Sequence, residues 1–351
     1  MLIVYTLEQS EQWDFIVRSF SDYDVYYLSG YVKAFQLHGD GEPLLFYYKG
    51  KEDTRGINVV MKRDIAKDKH FVGMISDNTY FDFASPYGYG GWLIEGRKDT
   101  TGLFDEYTAW CQRNGIVSEF VRFHPLLKNH LDVISDYEVV PLGEVVHMDL
   151  ASPETIWANI TSKNRNVIRK AIKNDVKIFN GRYPELFETF RNIYNGTMDK
   201  DHADAYYYFD SDFYSSVEND LADNAQVFYA QIPDGTIIAA SIILAANERM
   251  FYHLSGSVRE YSSLAATNLL LYEAALWGCT NGYKIFYLGG GVGSGEDSLF
   301  KFKRAFYRGD LNRFYIGKKI YMQDKYDALM HIRVENNNEI KQSSFFPQYR
   351  G

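Results

Sequence analysis

Cysteine is nearly absent from this chain: Cys111 and Cys279 stand far apart with no CxxC spacing, which gives neither a disulfide framework nor a structural zinc site any support. No metal site is expected, and the compartment it fits is the reducing cytoplasm. Long apolar runs are also missing. No stretch of about 18 apolar residues occurs, and the short apolar start Met1 to Tyr5 has no basic leader, so a transmembrane or secretory segment is not expected. Membrane association would be peripheral. An excess of positive charge is lacking too: the formal net charge of -9 argues against a protein that coats DNA or anionic membrane non-specifically, although a local basic patch is still open. What is present is ordinary globular material, 46% hydrophobic and 24% charged, in 351 residues, enough for two domains. Aromatics are unusually common, with 29 Tyr. Tyrosine suits pockets for sugars, peptides or nucleobases, and it also fills strands.

The second half has the clearer pattern. Glu144 to Leu150 predicts a strand, and Ser152-Pro153-Glu154 is a helix start leading into one apolar-periodic run, Trp157 to Ile172. Val176 to Phe179 reads as a strand, Pro184 to Thr197 and Asp212 to Leu221 as helices. Strands then follow at Gln226 to Ile232, Thr236 to Ala246 and Arg249 to Ser255, the first two joined by Pro233-Asp234-Gly235. Helix Ala265 to Cys279 stops at Asn281-Gly282; strand Tyr283 to Leu288, loop Gly289 to Gly295, helix Asp297 to Tyr307 and strand Arg313 to Ile316 complete the set. This is the element order of the acetyltransferase (GNAT) fold. The first half repeats it more faintly, with strands at Leu2 to Leu7, Leu44 to Tyr48, Ile57 to Lys62, Gly91 to Ile94, Val117 to Phe123 and Tyr137 to Val140. The fold class expected is therefore mixed α/β (α+β): two tandem GNAT-like domains, 1–143 and 144–318, each a mostly antiparallel sheet flanked by helices. The tail, 319–351, packs back on the first domain or frays.

Three segments carry a family resemblance: YHLSGS from Tyr252, NLLLYEAALWGCTNGYKIFYLGGG from Asn268, and SLFKFKRAF from Ser298. In that order and spacing they resemble the FemABX family, aminoacyltransferases that build peptidoglycan cross-bridges, together with acetyltransferase-like relatives in surface-polysaccharide synthesis. SPYGYGG from Ser85, RFHPLL from Arg122 and SKNRNVIRKAIKNDVKI from Ser162 add to it. The resemblance implies an acceptor cleft at the first domain and a donor handled by the second. No cofactor would be tightly bound; acyl-coenzyme A or aminoacyl-tRNA would serve as co-substrate. The acceptor would be a small-molecule or lipid-linked envelope precursor.

Acyl transfer to an amine needs a deprotonated nucleophile and a group that stabilises the oxyanion. By the resemblance, the family's aromatic-Lys pair falls on Phe302 and Lys303, placing Lys303 near the developing charge. Without it, the same residues read as an amphipathic helix with surface lysines. Lys301 also follows a Phe, which leaves the pair's register open. Gly289, Gly290 and Gly291 end a buried strand and form a substrate-side loop or a simple turn. No glycine stands in Arg259 to Ala266, at the start of the central helix, where backbone amides would hold the pyrophosphate of coenzyme A; that donor is disfavoured without being excluded. Arg165 and Arg169 lie with Lys173 on one helix face, a stripe for a nucleotide diphosphate or tRNA backbone, or simply a solvated face. Tyr87 and Tyr89 offer an exposed aromatic shelf for an acceptor. His124 and His253 are pocket groups or satisfied structural histidines. Asn268 and Tyr272 share a face of the central helix, and Glu273 beside them is the candidate general base. The reading is an N-acyltransferase of cell-envelope synthesis. Its alternative is a non-catalytic double-GNAT module that binds a sugar nucleotide or protein partner.

Overall fold

The structure is a computed structural model that describes residues 1–351 except 52, 99 and 337–344. The part of the tail at 337–344 therefore lies outside the described residues. The chain forms two compact units, one of residues 1–142 with 314–351, the other of residues 143–313.

The first unit runs β1 (Leu2–Tyr5), α1 (Ser10–Arg18), α2 (Ser29–His38), β2 (Glu42–Lys49), β3 (Arg55–Asp64), β4 (Phe81–Ala84), β5 (Leu93–Glu95), α3 (Thr101–Arg113) and β6 (Ile116–Arg122). Strand β7 (Glu138–Asp149) carries the chain into the second unit. There α4 (Pro153–Asn159), α5 (Ser162–Lys173), β8 (Lys177–Gly181), α6 (Pro184–Lys200), α7 (Ser211–Asp220), β9 (Ala225–Gln231), β10 (Ile237–Ala246) and β11 (Arg249–Ser257) follow. Next come α8 (Ala266–Thr280), β12 (Ile285–Gly289) and α9 (Ser298–Arg304); β13 (Asn312–Ile320) then returns the chain to the first unit, where α10 (Gln323–Asn336) follows.

Each unit's sheet has six strands in its main path, and the pairing repeats. In the first the order is β1-β2-β3-β4-β6-β13, antiparallel throughout except for the parallel β4/β6 pair, with β5 on β3. In the second it is β8-β9-β10-β11-β12-β7, again antiparallel except for β11/β12. Two tandem GNAT-like folds result, and the duplication is visible in the pairing pattern, where no residue repeat shows it.

The sixth strand is exchanged. β7 follows β6 in the chain yet pairs with β12, through His147 opposite Tyr287; β13 follows β12 and α9 yet pairs with β6, through Ile316 opposite Arg122. Two readings are corrected here. Arg313 to Ile316, expected as the last strand of the second copy, belongs to the first unit's sheet, and Tyr137 to Val140 with Glu144 to Leu150 are one long strand. The helix expected from Trp157 to Ile172 is also two. Ser152 Oγ caps α4 and Thr161 Oγ1 caps α5, and Ile160 between them is extended, which ends the first helix. Beyond β13, Tyr326, Leu329 and Tyr349 pack on Ile65, Phe71 and Val117, and Arg350 pairs with Asp82 (2.5 Å) and Asp68 (3.0 Å).

Candidate active site

The second unit's core gathers Val146, Met148, Ile156, Ile168, Leu270, Phe286, Phe300 and Phe306, so β7, β12, α5, α8 and α9 share one apolar interior. Where that interior meets the C-terminal end of β12, the sheet splits. Parallel pairing of β11 with β12 ends at Phe251 opposite Tyr287, but β11 continues to Ser257 on β10. Both strands bulge just past that point. His253 is the extra residue against Ile242 and Ile243, and Leu288 the extra one against His147 and Val146. A bulge bends and over-twists its strand, so two of them turn β11 and β12 apart. Among the described residues no strand pairs with β11 on that side beyond Phe251.

Lys303 fills the split. It projects from α9 with only 8% exposure, and its Nζ donates to Gly290 O at 2.7 Å and lies 5.9 Å from the centre of the Tyr252 ring. Burial pulls the ammonium's pKa down to about 8, against the opposing field of Asp297. Gly289 leaves it room: at φ +83° a side chain is strained, and a Cβ there would stand 3.3 Å from Nζ. Asp297 fixes both sides of the loop, accepting from Phe300 N (2.8 Å) as the cap of α9 and from Val292 N (3.1 Å). Gly291 packs against that carboxylate, since a Cβ on it would meet Asp297 Oδ1 at 2.4 Å. Behind Tyr252, Ser241 Oγ donates to Ser255 Oγ at 2.8 Å, and burial raises the tyrosine's pKa. Burial pushes His253 down to about 3, so its ring is neutral at ordinary pH. The split thus holds a cation and hydroxyls in a buried site, where such groups act on developing negative charge most strongly.

Of the two lysines that follow a Phe, Lys303 is buried and Lys301 is exposed. Phe302 is half-buried and meets Phe306 edge-on at 5.5 Å. Of the other expected residues, Gly289 and Gly290 lie beside Lys303 Nζ, and His253 is the bulged residue of β11. Arg165, Arg169 and Tyr272 collect instead around Trp157, whose ring lies 5.9 and 5.1 Å from the two guanidiniums and 5.1 Å from the tyrosine ring. Asn268 donates to Asn164 Oδ1 (2.8 Å). Glu273 is half-buried on α8; burial raises its pKa, and it has no hydrogen-bond or ion-pair partner among the described residues. No contact joins it to Lys303 there. Tyr252, Asp297 and Asn164 were not singled out from the sequence. Only Asp297 had a local signal, an aspartate just ahead of an apolar-periodic helix.

The remaining expected residues lie in the first unit, and the exposed shelf is corrected. Tyr89 is buried, edge-on to Tyr26 (5.4 Å) and Phe314 (5.5 Å), and Tyr87 is half-buried and stacked on Phe35 (5.4 Å). Apolar neighbours on β13 and α2 take up the faces a sugar would need. His124 is fully buried; its Nδ1 accepts from Leu127 N at 3.3 Å and its Nε2 stands 3.2 Å from Asp24 Oδ2. Among the described residues no group of three or more His, Cys, Asp or Glu could hold a metal, and no helix is long and apolar enough to cross a membrane.

Residues 162–304 match the family model of the acetyltransferase (GNAT) domain. The crystal structure of FemX superposes with a TM-score of 0.70, at 11% identity, over 93% of this chain and 99% of that one. The chain therefore matches the GNAT domain over residues 162–304 and shares its fold with FemX. Two further structures share that fold at lower similarity. One is L-PGS from Bacillus licheniformis (TM-score 0.54, 13% identity, 88% of this chain and 91% of that one). The other is the C-terminal domain of a putative lysylphosphatidylglycerol synthetase from Agrobacterium fabrum (0.55, 14%, 93% and 96%). No curated protein matches the sequence. The matched segment runs from α5 through Lys303, so the buried ammonium lies within the part of the chain that matches the GNAT domain.

Proposed function

We propose that this GNAT protein transfers an acyl group, and most specifically an aminoacyl group, to an amine on a cell-envelope precursor, with Lys303 stabilising the oxyanion of the tetrahedral intermediate. The observation that carries the reading is the Lys303 ammonium, buried where β11 and β12 part and anchored on Gly290 O. A cation held in a buried cleft is prepared for negative charge without reorganisation, usually the largest single source of catalysis in acyl transfer. The attacking amine must lose its proton, and the reading assigns that step to no residue; Glu273 lacks the proximity. A fold shared with FemX and with a protein named as a lysylphosphatidylglycerol synthetase favours an aminoacyl donor and a lipid-linked or peptidoglycan-type acceptor. Ala265 supports the same side: it, not a glycine, holds the positive φ of 55° just before α8, which suits a pyrophosphate loop poorly.

The test is transfer by the full chain from labelled acyl-coenzyme A and aminoacyl-tRNA to UDP-linked and lipid-linked muropeptides. Lys303→Ala should lower turnover by about 100-fold or more, the scale of losing one oxyanion donor, while thermal melting changes little. Unchanged turnover in that variant sinks the assignment. Binding of these ligands by the wild-type chain without any transfer supports the non-catalytic alternative.

A further inference from the structure

A second cluster of the GNAT domain lies at the start of α5. Arg165 Nη2 and Arg308 Nη2 both donate to Ser162 Oγ, at 3.3 and 3.2 Å, so guanidiniums from two different elements converge on one oxygen. Neither has a carboxylate within ion-pair distance among the described residues. Like charges gathered this way repel unless an anion joins them. In the same first turn Asn164 is 3% exposed; its Oδ1 takes Asn268 Nδ2 from the first turn of α8, and its own Nδ2 is buried without an acceptor. Buried donors are rarely left unpaired, and one that is marks a place where a partner is missing. A cavity of about 640 Å³ adjoins, with Thr161 and Arg308 on its wall. Its wall also carries the cations Lys301 and Arg304 and the carboxylates Glu144, Glu296 and Asp310.

We infer that Ser162, Arg165 and Arg308 form a subsite for one phosphate group of the donor, at the N-terminal end of α5. Two guanidinium forks and a hydroxyl supply donors of the right kind, and the helix end adds partial positive charge. The inference rests on the reading that the second unit handles the donor. Both candidate donors carry phosphate, a phosphodiester in tRNA and a phosphomonoester or pyrophosphate in coenzyme A, so the chemistry is shared.

Calorimetric titration of the full chain with inorganic phosphate tests it, followed by coenzyme A and by an RNA minihelix ending in CCA. The double variant R165Q/R308Q should bind phosphate about tenfold or more weakly, as expected for lost charge-assisted hydrogen bonds, and Lys173→Gln, further along the same helix, should bind as wild type does. A matching loss in the coenzyme A arm or in the RNA arm identifies the source of the phosphate. Wild-type phosphate affinity in the double variant overturns the inference. So does an equal loss in Lys173→Gln, which would mean diffuse attraction, or a double variant that keeps full affinity for both donors. Lys303→Ala should leave phosphate affinity intact, so a failure of the catalytic reading leaves this result standing by itself.

Discussion

Lys303 is destabilising where it stands. Taking an ammonium out of water without a carboxylate in contact penalises the charged form, and a single carbonyl at 2.7 Å compensates only part of that. The sign follows from the shift. The folded pKa of about 8 lies below the ordinary lysine value of 10.5, so between those limits the unfolded chain holds the proton more tightly and folding becomes more favourable as pH rises. Below about pH 8 the penalty is present in full. Lys303→Met, which keeps the shape and removes the charge, should therefore melt at or a few degrees above wild type at pH 7, and the advantage should shrink towards pH 10. Calorimetric scans at the two pH values check this; a variant clearly less stable at both would mean that the lysine is structural. The same proton should govern rate: if the ammonium stabilises the oxyanion, turnover should fall about tenfold per pH unit above pH 8, a limb that pH–rate profiles would show. Periodicity alone could not have found this residue. Its helix reads as amphipathic with three cations, and the resemblance points to Lys303, but the burial depends on Gly289 and Gly290 at the end of β12, outside the pattern of the helix itself.

At the level of elements, the site depends on where two strands stop pairing. The break is made by bulges at His253 and Leu288, and nothing in the alternation of β11 or β12 announces a bulge. The strands themselves were legible, as were α8 and the meander of β9 to β11, because their apolar patterns are long. Strand β4 was not. Four residues, Phe81 to Ala84, are too short for a period, yet they form the parallel pair with β6 that matches β11 with β12. The loop after β12 gives the sharpest test at this scale. Gly289→Ala places a methyl 3.3 Å from Lys303 Nζ on a backbone at φ +83°, so it should strain the turn by roughly 1–2 kcal/mol and displace the ammonium. Turnover should drop at least about tenfold with a melting point only a few degrees lower. A loss of stability with unchanged turnover would separate the glycine from the chemistry.

On the scale of the whole chain, the exchanged strand makes the first unit discontinuous, and its most buried polar network shows what the second segment adds. Glu119 on β6 is 1% exposed and accepts from Tyr137 (2.9 Å), Tyr107 (3.2 Å) and Asn58 (3.1 Å), and also from Tyr321, which arrives only after β13. Burial raises the carboxyl's pKa, so each hydroxyl taken away leaves a poorly solvated group worse off. Residues 1–142 alone would also lack the strand on β6 and the cover that Tyr326, Leu329 and Tyr349 give Ile65, Phe71 and Val117. An open edge and an uncovered apolar face favour aggregation over folding. The second unit, residues 143–313, has its six strands and core in one continuous stretch. Expressed separately, 143–313 should melt cooperatively, and 1–142 should be insoluble or bind hydrophobic dye without a cooperative transition. Joining 1–142 to 314–351 through a flexible linker should restore a cooperative melt. If 1–142 folds as well without the second segment as with it, then β13 and Tyr321 are dispensable to the first unit, and the exchange of strands serves connectivity and not stability.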